Sequence, residues 1–313
     1  MKWRRKSLIQ RVCAALPIGS EKAYYALQRR FGRMRLKPDP SVLIAEAARL
    51  TLRLREVGFS VKGARVMEVG TGWGVDMPLG MFLCGASAVK TFDLHRYLKP
   101  ERVVGAIDAI RKNREQIRRS VLPAAEEKEL DQRLDALCAA GSFEGILRAA
   151  GIEYFAPADA ARTGLPDHSV DLQISYTVFE HIPEPVLRAI LLEANRVLTE
   201  GGIALHHIDP SDHFSHDDAS ISAVNFLQFS DAEWRRSGGN QFAYHNRMRV
   251  DEYRRMFEEC GHRILQWEPH IDQRSLKAIR NGFPLHSKYV GKPEEILATT
   301  VIHSVTSPNA PRL

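Results

Sequence analysis

Cysteine is scarce: Cys13, Cys84, Cys138 and Cys260 are the only four in 313 residues, and no two form a CxxC pair. That spacing excludes a zinc knuckle or a disulfide framework and fits the reduced thiols of a cytoplasmic protein. No apolar run approaches the roughly 20 residues that cross a bilayer. The opening stretch MKWRRKSLIQRVCAALPIGS has too short and broken an apolar core for a secretory signal, so none is expected. Internal repeats and low-complexity tracts are absent. Basic surplus is also missing from most of the chain. The first 40 residues hold eleven Lys or Arg against Glu21 and Asp39, a net of +9. The whole chain is +6, so the other 273 residues carry −3.

What is present divides into a basic leader and a mildly acidic body. The leader interleaves its charges with Trp3, Leu8, Ile9, Val12, Tyr24, Tyr25 and Phe31. Such a segment suits peripheral contact with an anionic membrane surface, here the inner face, or with a nucleic acid; the plain alternative is a solvated basic helix. An acidic body without a recognisable RNA-binding module argues against nucleic acid.

Periodicity predicts a helix over 41–58 ending at Gly58, then a strand from Arg65 to Val69. MPLGMFLCGA follows as a helix and AVKTFDL as a buried strand ending at Asp93. Residues 94–150 are helical and charged, more than one crossover helix requires, and are expected to be an inserted cap. GIEYFAPADA predicts a third strand ending near Asp159, and SVDLQISYTVFEHI a fourth. EPVLRAILLEANRVL is expected to be a helix stopped by TEGG, before IALHHID as a fifth strand. A polar insertion over 209–248 precedes a helix at RVDEYRRMFEECG, a strand at HRILQWEPHI and a last strand at EILATTVIHSV. This α/β alternation implies a mostly parallel sheet covered on both faces, with ligands at the carboxyl ends of the strands. The expected division is a helical extension over 1–60, a main domain over 61–305 and a tail over 306–313.

Glu68 near the end of the first strand is followed, before the helix, by Gly70, Gly72 and Gly74. Alternate glycines let a backbone turn sharply and approach a ligand closely. A dinucleotide turn of the G-x-G-x-x-G type would need glycine at 75, where the chain has Val75. The pattern resembles the first motif of class I S-adenosylmethionine-dependent methyltransferases, and with the later landmarks the resemblance runs in order from about residue 60 to 305. It implies a Rossmann-like seven-stranded sheet, mostly parallel with an antiparallel last strand. It also implies S-adenosylmethionine as cofactor, bound by Glu68, by Gly70, Thr71, Gly72 and Gly74 under its amino-acid part, Asp93 with Leu94 on the ribose, Asp159 with Ala160 by the adenine, and Tyr176 at the end of the fourth strand. A carboxylate suits the ribose because it accepts two hydroxyl hydrogen bonds at once.

Transfer to a hydroxyl needs a base. Glu180 and His181 follow the fourth strand, and HHIDPSDHFSHDD follows the fifth. From these, His207 or His213, paired with Asp209 or Asp212, is expected to be the base, with His181 nearby. Some ubiquinone-pathway and small-RNA methyltransferases carry E-x-x-E-H at the fourth-strand turn. Here Thr177 stands at the first glutamate, leaving Glu180, His181 and His207 as a divalent-metal alternative to a metal-free site. Residues 209–249, with DHF, NFL and NRMR, resemble a segment of methyltransferases encoded with bacterial surface-glycan and secondary-metabolite genes. Its polar groups could bind sugar hydroxyls while Trp234, Phe242 and Tyr244 stack on a ring; the alternative is that the aromatics pack inward. The leading expectation is an O-methyltransferase for a sugar, glycolipid or other small natural-product acceptor. An RNA methyltransferase or a non-catalytic cofactor-binding protein are the alternatives.

Overall fold

A computed structural model describes residues 2–15, 39–239 and 244–308. Tyr24, Tyr25, Phe31, Phe242 and residues 309–313 of the tail lie outside the described residues. In chain order the helices and strands are α1 (Trp3–Ala14), α2 (Ser41–Glu56), β1 (Arg65–Val69), α3 (Asp76–Leu83), β2 (Ala88–Phe92), α4 (Pro100–Lys112), α5 (Arg114–Val121), α6 (Glu127–Ala139), α7 (Phe143–Ala149) and β3 (Ile152–Phe155). There follow β4 (Val170–Tyr176), α8 (Glu184–Val197), β5 (Leu198–Ile208), α9 (Asp231–Ser237), α10 (Val250–Glu259), β6 (His262–Ile271), α11 (Gln273–Arg280), α12 (Glu294–Ala298) and β7 (Thr299–Pro308).

The strands form one sheet in the order β3-β2-β1-β4-β5-β7-β6. β1 to β5 run parallel, and β7 is antiparallel to both β5 and β6. This is the mostly parallel, doubly covered sheet that the alternation of elements implied. The chain leaves β1 for β2 and β3 on one side, then returns to β4 on the other. The switch point is therefore between β1 and β4, where a crevice opens at the carboxyl ends of the strands.

Two cores flank the sheet. On one face Ile44, Leu50 and Leu54 of α2 pack with Leu79 and Leu83 of α3, and the same cluster takes in Ile107, Ile117, Leu134 and Ile146 from α4 to α7. The four helices of the 94–150 segment are thus part of the main core. On the other face Leu187, Leu191 and Ala194 of α8 meet Tyr253, Met256 and Phe257 of α10. Burying each large apolar side chain contributes about 1.5–3 kcal/mol. A third cluster joins Trp3 of α1 to Phe214, Phe226 and Trp234 in the 209–248 insertion.

Several element boundaries differ from expectation for local reasons. β3 stops at Phe155, because Pro157 lacks the N–H that a continued ladder would need. TEGG is not a helix stop: α8 ends at Val197 and β5 begins at once. Val170 pairs with Leu198 and Leu172 with Ile203, so residues 199–202 bulge out of the strand. The segment EILATTVIHSV splits, its first residues forming α12 behind Pro293 before β7 starts at Thr299. α11, which no sequence signal suggested, starts at Asp272, whose carboxylate accepts the Ser275 N–H at 2.8 Å.

Candidate active site

The glycine turn leaves β1 with Gly70 at φ +88 and Gly72 at φ +65, a region L side chains rarely adopt. A β-carbon on Gly70 would stand 2.5 Å from Val178 Cγ2, whereas one on Gly72 would meet nothing within 4 Å. The first glycine therefore lets the turn seat against the segment after β4, and the second leaves open space above it. Gly74 has no positive φ, and a β-carbon there would only touch Asp76. Thr71 is buried behind the turn with its hydroxyl against that of Thr91. The Thr91 hydroxyl donates to Glu68, which is 4% exposed. Burial pushes the Glu68 carboxyl up to about 8. Glu68 thus holds the turn from beneath.

Asp93 follows β2. One carboxylate oxygen accepts the Gly72 N–H at 2.9 Å and the other the His95 N–H at 2.9 Å. Burial raises its pKa while these two N–H groups restrain it. Two accepted bonds leave about half of a carboxylate's lone-pair sites free for further donors. Leu94 beside it is 64% exposed. Asp159 is exposed and accepts the Ala161 N–H at 2.9 Å; Ala160 is buried. An open glycine floor and a partly committed carboxylate beside it fit a ribose-bearing cofactor that approaches the backbone closely.

β4 ends in Tyr176, stacked on His207 at 4.3 Å, its hydroxyl pushed up to about 12 chiefly by burial. Thr177 then adopts φ +52 while donating its N–H to the His207 carbonyl at 2.8 Å. A β-branched residue held in this region stores strain of about 1–3 kcal/mol. It turns the chain so that Val178 meets Gly70, Glu180 points inward and His181 follows. Glu180 is fully buried, and burial raises its pKa well above the usual range against the opposing pull of the Glu180 and Asp209 backbone N–H groups.

After β5, Asp209 and His213 come together: His213 Nε2 stands 3.2 Å from Asp209 Oδ2 and 4.0 Å from Glu180 Oε1. His216 Nε2 lies 3.6 Å from the same Asp209 oxygen. Burial works to raise Asp209, but His213 and the Ser211 N–H outweigh it and bring its pKa to about 2. His181, His213 and His245 cluster with ring centroids 4.3–4.9 Å apart. Burial and His213 lower His181 to about 4.

The structure does not bring the other two members of the expected pairs to this place. Asp212 is buried and caps the turn at 213–216, accepting the Phe214 N–H and an Asn225 amide proton at 2.9 Å each. Burial raises its pKa to about 6. His207 shares a proton between Nδ1 and His303 Nε2 at 2.9 Å, and burial lowers it to about 4. The expected metal trio Glu180, His181 and His207 is accordingly divided: among the described residues His207 groups with Glu46 and His303, and His181 with His213 and His245.

The insertion supports this arrangement from behind. Arg249 is fully buried and donates to the carbonyls of Pro210 at 2.6 Å and Leu297 at 3.0 Å. Arg247 donates to Phe226 and Phe229 at 2.9 Å each, and Asn246 to Phe179 and Ile182. The arginines of NRMR are therefore clamps. Trp234, 5% exposed, packs on Trp3 and Phe229 and cannot stack on a ligand. Tyr244, 41% exposed, remains at the surface beside His181. His245 is the site residue that sequence reasoning passed over. Only its place next to NRMR hinted at it, because its neighbours in space come from distant turns.

A Rossmann-like class I fold with a glycine turn at its switch point is the class these features define. The family model described as methyltransferase domain matches residues 129–206. That match covers about a quarter of the chain and takes in β3, β4, α8 and most of β5 of the sheet. No curated protein matches it. Among solved structures it is similar to geranyl diphosphate C-methyltransferase from Streptomyces coelicolor A3(2), at 12% identity over 95% of this chain and 87% of that one, TM-score 0.44. It is also similar to the [4+2]-cyclase SpnF, at 14% identity over 84% and 82%, TM-score 0.44. A third similar structure is the PH0226 protein from Pyrococcus horikoshii OT3, at 16% identity over 83% and 81%, TM-score 0.42. Among the described residues no helix is long and apolar enough to cross a membrane.

Proposed function

We propose that the chain is an S-adenosylmethionine-dependent methyltransferase that acts on a hydroxyl of a sugar, glycolipid or other small natural-product acceptor, with His213 as base and Asp209 as its partner. The observation that carries the reading is the 3.2 Å approach of His213 Nε2 to Asp209 Oδ2 at the carboxyl ends of β4 and β5. Val178, against Gly70, and His181, whose N–H donates to the Val178 carbonyl, link that place to the glycine turn.

The bound cofactor supplies a methyl group made electrophilic by its sulfonium. The chain's own task is to hold an acceptor oxygen behind that methyl group and take its proton, since a protonated alcohol is a weak nucleophile. His213 receives the proton, and Asp209, ionised down to about pH 2, stabilises the imidazolium that results. Gly70, Gly72, Gly74 and Thr71 form the cofactor's floor, with Asp93 at its ribose and Asp159 and Ala160 by its base. Tyr244 and the polar rim of the insertion offer a ring-stacking face and hydroxyl partners to the acceptor.

The leader supports a peripheral membrane contact. Arg4, Leu8, Arg11 and Val12 line one side of α1, with Leu8 and Val12 60% and 59% exposed.

The test uses radiolabelled S-adenosylmethionine and a panel of hydroxylated sugars, glycolipids and phenols. His213→Asn and Asp209→Asn should lower turnover on any accepted compound by about 10²-fold or more, while affinity for S-adenosylhomocysteine holds. Undiminished turnover in both variants overturns the base assignment.

A further inference from the structure

We infer that the cluster formed by His181, His213 and His245, with Glu180 and Asp209 at its edge, is a binding site for a divalent transition-metal ion. Three segments that are distant in sequence converge there: the turn after β4, the turn after β5 and the stretch before α10. One ligand atom from each histidine lies within 4.8 Å of the others. Around a tetrahedral ion with metal–nitrogen bonds of about 2.0–2.1 Å, ligand nitrogens stand about 3.3 Å apart. Rotating the three side chains inward by an ångström or so closes that gap.

One buried ring lacks any other explanation. His245 is 8% exposed, and neither of its ring nitrogens has a hydrogen-bond partner. Glu180 is fully buried at the edge of the cluster, its Oε1 4.0 Å from His213 Nε2. Burying such a ring unsatisfied is costly, and an ion coordinated by it together with His181 and His213 answers that cost.

His181 is already set for the role. Its Nδ1 faces the Tyr244 carbonyl at 2.9 Å, and a carbonyl only accepts, so Nδ1 carries the proton and Nε2 keeps its lone pair. Ligating histidines are commonly oriented by such a bond on the opposite nitrogen. Imidazoles with a carboxylate suit zinc, cobalt, nickel or iron(II) in preference to magnesium or calcium. The neighbouring chain of His270, His303 and His207 contrasts with this cluster, because each ring there is hydrogen-bonded to the next.

The assignment rests on the proposed function only for the statement that this cluster faces the acceptor. With an ion bound, His213 would be a ligand and the ion's Lewis acidity would replace it in activating the acceptor hydroxyl, so that His213 acts as base only in the metal-free protein.

The experiment measures uptake without turnover. Untagged full-length protein, stripped with a chelator and dialysed, is titrated with Zn²⁺ by calorimetry and with Co²⁺ by visible absorption. The expected result is one equivalent per chain and a Co²⁺ band of a low-symmetry nitrogen-rich site. His245→Ala and His181→Ala should each weaken binding by about tenfold or more, and His303→Ala should leave it unchanged. No stoichiometric uptake overturns the inference. So does uptake that survives both His245→Ala and His181→Ala, or that is lost in His303→Ala. Circular dichroism of the variants separates loss of the site from loss of fold. Zinc uptake with undiminished turnover in His213→Asn would refute the base and leave the ion, and the reverse pair of results would do the opposite.

Discussion

Gly70→Ala probes the contact on which the cofactor floor and the histidine cluster both depend. Gly70 sits at φ +88, where an L residue costs about 1–2 kcal/mol. Its new β-carbon would also stand 2.5 and 2.9 Å from the two γ-carbons of Val178. Val178 cannot simply swing away, because its β-branch restricts χ1 and Thr177 before it is already strained. Overpacking of this kind adds about 1–3 kcal/mol, so Gly70→Ala should lower stability by roughly 2–5 kcal/mol in total. Val178→Ala removes both γ-carbons and hence most of the clash, leaving the backbone cost. A double-mutant cycle by urea denaturation should return a coupling of about 1–3 kcal/mol. Titration with S-adenosylhomocysteine should show weaker binding in Gly70→Ala and partial recovery in the double variant. An equal penalty in both backgrounds would mean that turn and cluster are not in contact, and the account of their linkage would fail.

Two further outcomes follow from the same packing. Burial raises Glu68 from its ordinary 4.5 to about 8, so between these values the unfolded chain releases a proton that the folded chain keeps. Its contribution to stability therefore falls as pH rises, by up to about 1.4 kcal/mol per pH unit. Glu68→Gln should gain on the unaltered protein from pH 5 to pH 8 in urea titrations, and a gap independent of pH would contradict the buried carboxyl. Trp3, 7% exposed, donates its backbone N–H to Asp218 at 2.8 Å and stacks on Trp234. Trp3→Ala should release α1 from the insertion, so that trypsin cuts at Arg4, Arg5, Lys6 or Arg11 at least several times faster while the main thermal transition stays within a few degrees; unchanged cleavage would show that the helix is held elsewhere.

What the sequence revealed depended on whether the signal was local. Alternate glycines, a strand-end aspartate and the βα rhythm are local, and the sheet, the switch point and the place of Asp93 followed from them. TEGG misled because glycine both stops helices and permits bulges, and only pairing with β4 decides between the two. Trp234 and the NRMR arginines had the composition of a sugar site, yet their burial depends on contacts with Trp3, Phe226 and Leu297 that no neighbouring residue announces. The pairing of His213 with Asp209 in preference to Asp212 was equally hidden. Both acids lie within four residues, and an Asn225 amide thirteen residues away engages Asp212. His245 belongs to the same class, since its companions lie over thirty residues upstream.

The central claim is that the glycine turn and Asp93 together clasp S-adenosylmethionine. Calorimetric titration of S-adenosylhomocysteine into the unaltered protein and into Asp93→Asn tests it most directly, because asparagine can keep one of the two backbone N–H bonds at the turn and loses the charged acceptor for the ribose diol. Losing a charge-assisted hydrogen bond costs about 1.5–3 kcal/mol, or roughly 10- to 150-fold in affinity. The account predicts binding at one equivalent, weakened by at least that factor in the variant, whose circular dichroism remains that of the folded protein. Equal affinity in the two proteins, or no binding to the unaltered one, would contradict it.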